Sequence, residues 1–272
     1  MQAFPAKWIP PTGVLGRIIH ETSRRVATAR GRRSDLEIRA RAAEVAPDFF
    51  AALRGDQVKV IAEVKRRSPS RGDINAQLDP ASHAREYERG GAAAISVLTE
   101  PTHFAGSGED LMKVRDAVNV PLLRKDFIVD EMQIIEARAW GASAVLLIAR
   151  ALPPADLVAL ADAARDWGLE PLIEVRTDDE LHTAMNAHAR LVGVNSRDLE
   201  TLEVNADAID RLVPRVPPHV VAVAESGMQT VADVERAAEA GADAVLIGSS
   251  LSVAADPAAA VRALVGVPRR HR

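Results

Sequence analysis

Lys65 and Lys125 each close a short apolar run, Val58-Lys-Val-Ile-Ala-Glu-Val-Lys65 and Val120-Pro-Leu-Leu-Arg-Lys125. Lysine is scarce elsewhere: of the 34 basic residues five are Lys and 29 are Arg. Arginine stays charged at any working pH, whereas a partly desolvated ammonium can shift its pKa and give up a proton. Lysine at two strand ends of an arginine-rich chain thus stands where a buried acid would be useful; the alternative reading is chance placement together with codon bias. Glu63 stands two residues before Lys65, and the period of a strand puts both on one face. Other runs end in Glu174, in Asn195 with Arg197 beyond it, and in Glu225-Ser226-Gly227. Each of these polar side chains is costly in an apolar interior unless paired. Singly they read as strand caps or rim ion pairs; as a set at matching positions they read as a site.

Two of the ends carry an anion signal. Gly227 and Gly248 let backbone amides approach a bound anion, and Ser226, Ser249 and Ser250 add hydroxyl donors. Ser249-Ser250-Leu251 would open a short helix there, and the implied substrate class is a phosphorylated sugar or polyol. Phe104 and Phe127 stand just past two strands in a chain with only five Phe; they would form an apolar wall for a flat ring, or else serve the more common use of Phe, core packing. Gly106-Ser107-Gly108 reads as a flexible loop, not a nucleotide fingerprint.

The elements that must position these residues follow one pattern from about residue 58. A β-branched run ends in a polar residue, and an Ala-rich amphipathic helix leads to the next run. The predicted strands are 58–64, 94–98, 120–124, 144–148, 171–175, 191–195, 220–224 and 244–247. Predicted helices include 80–90, 131–140, 153–167 and 230–240, each followed by a Gly suited to a left-handed cap. Eight such units fit an α/β (β/α)8 barrel of the TIM type, whose active site forms at the C-terminal ends of the strands. A doubly wound sheet would more often show a Gly-rich turn after its first strand, and that place holds Arg66-Arg67-Ser68-Pro69-Ser70-Arg71-Gly72. Residues 1–57 stand outside the repeat and read as an N-terminal extension with helices at 13–29, 34–45 and 47–53. It has too little apolar content for its own core. The chain is thus expected to be one domain, with the barrel at 58–264 and a disordered tail at 265–272.

Composition excludes several classes. The net charge of -4 argues against a general nucleic-acid or membrane-surface binder; the Arg clusters at 24–25, 30–33 and 269–272 read as solvated helix faces and a frayed end. The chain has no cysteine, which rules out disulfides, thiol catalysis and Cys-ligated metals. No apolar stretch approaches the roughly 20 residues of a membrane span, and no signal-peptide core opens the chain, so a cytoplasmic location is expected. Seven scattered His residues form no pair at helical ligand spacing, and only His103 sits near the expected mouth. No metal is expected. Gly-x-Ser-x-Gly is absent, so no nucleophile elbow is present.

Glu63-Val-Lys65-Arg-Arg-Ser68-Pro69-Ser70-Arg-Gly72 resembles the signature of the indole-3-glycerol phosphate synthase family of tryptophan biosynthesis. The likeness continues through Ser96-Val-Leu-Thr-Glu100, Phe104-Ala-Gly-Ser107 and Leu123-Arg-Lys125-Asp-Phe127. It extends to Leu172-Ile-Glu174-Val175, Gly193-Val-Asn195-Ser-Arg197-Asp-Leu199, Ala224-Glu225-Ser226-Gly227 and Leu246-Ile-Gly248-Ser-Ser-Leu251. Shorter pieces occur in related phosphate-binding barrels; the first motif together with Leu-Arg-Lys-Asp-Phe is specific.

The resemblance implies cofactor-independent ring closure of 1-(2-carboxyphenylamino)-1-deoxyribulose 5-phosphate to indole-3-glycerol phosphate, carbon dioxide and water. It implies that Lys125 is the general acid, that Lys65 holds the departing carboxylate, that Glu174 is the base for dehydration and that Glu63 tunes the lysines. Asn195 and Glu225 would hold hydroxyl and amine groups, with Phe104, Phe127 and Leu146 as apolar walls. Ser68, Ser226, Gly227, Gly248 and Ser249 would surround the phosphate, with Arg197 nearby. Some family members carry an aromatic residue on the N-terminal helix where Val14 and its neighbours stand here. The rivals are a sugar-phosphate isomerase of the phosphoribosyl-anthranilate isomerase type, which often uses Cys with Asp, and a non-catalytic phosphate-binding barrel. Oligomeric state is expected to be monomeric, with weak association with other tryptophan-pathway enzymes as a further option.

Overall fold

The computed structural model describes residues 8–272; residues 1–7 of the expected extension lie outside the described residues. Three helices precede the barrel: α1 (Gly13–Ala29), α2 (Arg33–Ala42) and α3 (Phe49–Ala52). Eight parallel strands then close on themselves: β1 (Lys59–Val64), β2 (Ala94–Leu98), β3 (Leu122–Lys125), β4 (Ala144–Ile148), β5 (Glu170–Val175), β6 (Leu191–Asn195), β7 (Val221–Glu225) and β8 (Ala244–Ile247). β1 pairs with both β2 and β8, so no edge is left open. Every predicted strand is present. The boundaries move by one or two residues, and β3 and β7 run one residue further, so that Lys125 and Glu225 themselves belong to strands.

The strands are buried along nearly their whole length, as expected for parallel strands covered on both faces. The covering helices begin where the local sequence caps them. Asp79 accepts from Ser82 N, and Thr230 and Asp233 form a reciprocal capping box. Gly91 ends the helix Pro80–Gly90 at φ +99°, a conformation an L side chain rarely adopts.

The extension is welded to the barrel. Leu15, Ile18, Phe49 and Leu53 are buried in the same core cluster as the strand residues, each full burial being worth about 1.5–3 kcal/mol. Val26, Leu36 and Ala40 form a smaller cluster with Met132 and Ile135 of the helix Glu131–Ala139. The start of α1 is fixed over the strand ends. Val14 N and Leu15 N donate to the carbonyls of Glu200 and Leu199, 3.1 Å each, in the loop after β6. Gly13, at φ +60°, lies so close to the Glu200 carbonyl that a Cβ would fall 2.3 Å from its oxygen.

Two expectations are corrected. The tail at 265–272 is docked: Val58 N donates to Val267 O at 2.9 Å and Arg269 N to Asp56 O at 2.9 Å. Arg269 and Arg272 both pair with buried Asp243, at 2.7 and 2.9 Å. A carboxylate at the start of β8 needs countercharge, and the arginines of the tail supply it. Arg25 is likewise not a solvated face residue, because it reaches Glu100 and Asp126 at 3.5 and 3.7 Å. Among the described residues, no helix is long and apolar enough to cross a membrane.

Candidate active site

A cavity of about 450 Å³ opens at the C-terminal ends of the strands. Lys65, Glu63, Lys125, Glu174, Asn195, Arg197 and Glu225 all line it, as do Ser68, Phe104, Phe127, Leu146, Ser226, Gly227, Gly248 and Ser249. No residue expected at the site falls outside it. The register explains the convergence. Leu98 of β2 stands opposite Lys125, Ile148 of β4 opposite Glu174, and Asn195 of β6 opposite Glu225, so the polar ends form one tier around the mouth.

The charges form two linked groups. Lys65 Nζ donates to Glu63 Oε1 at 2.5 Å. Lys125 Nζ donates to Glu225 Oε2 at 2.7 Å and to Glu174 Oε2 at 3.3 Å. Asn195 Nδ2 donates to Glu174 Oε1 at 2.9 Å, which fixes the plane of that carboxylate. Glu225 is thus the closer partner of Lys125, and the cluster holds five charged groups. Gly248 accommodates the first pair: a Cβ there would lie 2.3 Å from Glu63 Oε1 and 2.8 Å from Lys65 Nζ.

Burial opposes the charge on Lys125, but Glu225, Glu174 and Glu63 together outweigh it and hold the ammonium above its usual range. Burial, reinforced by Glu174, pushes the Glu225 carboxyl up to about 7 against the pull of Lys125. An acid whose pKa rises on folding keeps a proton that the unfolded chain has lost. Its contribution to stability is present below the ordinary value of 4.5 and fades as pH rises through about 7. Glu225→Gln lacks that titration. Over this window the melting temperature of the parent chain is expected to fall more steeply with pH than that of the variant; parallel curves from scanning calorimetry would contradict it.

The apolar wall is built by polar groups behind it. Phe104 and Phe127 face each other with ring centroids 6.0 Å apart. Buried Glu100 accepts from the backbone amides of Thr102, His103 and Phe104 and so holds the short helix that carries Phe104. Asp126, tied to Arg124 and Thr99, accepts from Phe127 N at 2.8 Å. Sequence reasoning did not single out Glu100, Arg124 or Asp126. Their signal was available in the polar residues that flank the strand ends. Val14 and Ile18 of α1 complete the apolar side. The Gly106 segment is closely packed: a Cβ on Gly106 would lie 2.1 Å from Leu98 O, and one on Gly108 2.6 Å from the Trp140 ring. The flexible loop expected there is not what forms.

The opposite end of the cavity collects the anion donors. Ser226 and Gly227 both have positive φ, +63° and +76°; for the serine that is an uncommon conformation that the surroundings must enforce. Ser196 Oγ donates to the Ser226 carbonyl at 3.0 Å and steadies the turn. Ser249 and Ser250 open the short helix Ser249–Ser252, and Ser250 Oγ is buried with no hydrogen-bond partner. Arg71 also lines this cavity and was not anticipated. It and Arg197 are close enough that, after burial, Arg71 helps lower the Arg197 pKa, so two positive charges share this end of the cavity. The residues after β1 reach the cavity through a two-strand hairpin, Arg67–Ser68 with Gly72–Asp73. Arg66 anchors its base through Asp110, at 2.7 and 3.0 Å. His103 points elsewhere, to Glu21 of α1 at 2.9 Å. Among the described residues no group of three or more His, Cys, Asp or Glu side chains is placed to hold a metal ion.

Comparison with known proteins agrees with the fold. Solved structures with the same architecture include a 3-hexulose-6-phosphate synthase, with a TM-score of 0.61 at 19% identity over 76% of this chain and 98% of that one. A thiamine phosphate pyrophosphorylase from Pyrococcus furiosus gives 0.59 at 18% identity over 76% of this chain and 93% of that one. At such identities the likeness speaks for the fold alone. Among curated proteins, indole-3-glycerol phosphate synthase 1 of Streptomyces coelicolor is 50% identical over 254 residues, 93% of this chain and 94% of its own length. The indole-3-glycerol phosphate synthase of Mycobacterium avium is 48% identical over 257 residues, 94% of each chain. The indole-3-glycerol phosphate synthase family model matches residues 15–264. With that match across both the barrel and α1, the chain belongs to the indole-3-glycerol phosphate synthase family.

Proposed function

We propose that Lys125 is the general acid and Glu174 the general base of the ring closure that this carboxy-lyase of tryptophan biosynthesis performs. The substrate is 1-(2-carboxyphenylamino)-1-deoxyribulose 5-phosphate. Lys125 protonates the ketone oxygen as the ring carbon that bears the carboxylate attacks the carbonyl carbon. A carbon–carbon bond forms and the ketone becomes a hydroxyl. The carboxylate, held by Lys65, then leaves as carbon dioxide and its bonding electrons restore the aromatic ring. Glu174 removes a proton from the adjacent carbon while the hydroxyl departs, protonated by a lysine, as water. One carbon–carbon bond forms, one breaks and no electrons leave, so the sequence of steps calls for no redox cofactor.

The observation that carries this reading is the position of Lys125 Nζ between Glu225 and Glu174, 2.7 and 3.3 Å away. An acid beside two bases at the edge of an apolar chamber suits proton transfers in both directions. Asn195 and Glu225 hold the substrate's hydroxyl and amine groups, and Phe104, Phe127 and Leu146 flank its ring. The phosphate lies against Ser68, Ser226, Gly227, Gly248 and Ser249 with Arg197 near it. Glu63 orients Lys65 through their 2.5 Å contact. We read the whole as one catalytic domain, monomeric and cytoplasmic, with no nucleic-acid partner and at most weak association with other enzymes of its pathway.

Purified protein given this substrate, without added metal or nucleotide, is expected to generate indole fluorescence. Well-folded protein that leaves the substrate untouched would overturn the assignment.

A further inference from the structure

We infer that Gly193 is a positioning residue for the reaction, its missing side chain forming the socket that seats the Glu225 carboxylate beside Lys125. Gly193 lies in β6, in register with Glu174 of β5 on one side and Val223 of β7 on the other. It stands two residues before Asn195, on the same inward face. Its φ is not among the positive values of the chain, so the strand backbone there suits any residue. β-branched Val192 and Val194 flank it in the same strand. A glycine at this point has no conformational reason.

It has a steric one. A Cβ on Gly193 would lie 2.0 Å from Glu225 Oε1 and 3.1 Å from its Cδ, while the next neighbour, Leu172 Cδ1, is at an ordinary 3.6 Å. The only group in conflict is therefore one carboxylate. Glu225 stands opposite Asn195, and its side chain turns back over the strand to occupy the space above Gly193. It is 1% exposed and its Oε2 is held by Lys125; Oε1, the atom in the socket, has no hydrogen-bond partner. Shape, not a hydrogen bond, sets where that oxygen sits. Gly248, just past β8, repeats the arrangement beside Glu63 and Lys65 of the next pair of strands. Two of the three ion pairs of the cluster, Lys125–Glu225 and Lys65–Glu63, thus have their carboxylate seated against a glycine in or just past the adjacent strand.

Because the conflict is with the end of a side chain, Gly193→Ala is expected to fold and to expel the carboxylate from its place. The inference rests on the reading of Lys125 and Glu225 as members of the reacting cluster. Displacing a reacting group by about an ångström costs on the order of a hundredfold in rate, so kcat for Gly193→Ala should fall by about that factor. Competitive inhibition by inorganic phosphate should change by less than about twofold, since the anion end is untouched. The decisive arm is a double-mutant cycle with Glu225→Ala, which empties the socket. In that background Gly193→Ala should add less than about a twofold loss.

An equal loss in both backgrounds would mean that the strand, not the carboxylate, is disturbed, and would overturn the inference. So would unchanged turnover in Gly193→Ala while Glu225→Ala is impaired. If Gly193→Ala fails to fold, Gly193→Ala/Glu225→Ala decides: a folded double variant supports the socket, an unfolded one sinks it. Undiminished turnover in Glu225→Ala alone would instead remove the reading of the cluster on which the inference stands.

Discussion

Lys125→Ala is expected to lower turnover by at least about a hundredfold with the fold intact, the usual scale for a positioned acid. The loss should be this large because, among the described residues, no other cation pairs with Glu174 or Glu225. Without the ammonium those carboxylates face each other unscreened, so on the proposed mechanism the ketone oxygen loses its donor and the base its counterion together. Lys125→Arg should fail as well. Guanidinium keeps the charge but does not give up a proton at working pH, and its planar fork does not fit a seat shaped around a point charge. The surrounding carboxylates hold Lys125 above the usual lysine range, so the resting enzyme carries the proton. Donation then requires substrate groups to engage Glu225 and Glu174 and loosen their grip. Steady-state turnover with circular dichroism on each variant checks the prediction, and a loss below about tenfold would move the acid role to Lys65.

Glu174→Gln is expected to cut turnover by about 10²–10⁴-fold and to separate the two halves of the reaction. Glutamine preserves an oxygen that can accept from Asn195, which donates to Glu174 Oε1 at 2.9 Å, so the geometry is retained while basicity is lost. Carbon dioxide leaves before the proposed base acts, whereas water leaves with it. A single-turnover experiment should therefore show carbon dioxide released ahead of indole fluorescence, with a lag absent from the parent enzyme. If both signals slow by the same factor, Glu174 acts at ring closure and not at dehydration.

Much of this site was legible in the sequence because a parallel barrel leaves little freedom to its strand ends. Once eight runs are recognised, the polar residue that closes each run must face one common mouth, however far apart the runs stand in the chain. Lys125 and Glu174 are 49 residues apart and Lys125 and Glu225 are 100 apart, yet the pattern alone put them together. The extension and the tail were less legible. Leu15 and Ile18 signalled an apolar face without saying which surface it covers, and Arg269 to Arg272 looked like a frayed end. Asp243 gives no hint in sequence that it needs a distant arginine, since its burial follows only from the closed barrel.

The sequence by itself thus determined the architecture, the family and most of the polar residues that line the cavity, because period, capping and motif are local properties of the chain. Only the tertiary structure decided how those residues are paired. Lys125 could have leaned toward Glu63, Glu174 or Glu225, and side-chain direction within one tier depends on what occupies the neighbouring strand. The choice falls to Glu225 where β6 presents Gly193, a position that leaves no side chain in the way. The balance of charge was equally out of reach of the sequence. Whether a buried lysine is pushed down by desolvation or held up by its neighbours depends on distances of a few ångströms, and here three carboxylates close enough to Lys125 decide it upward.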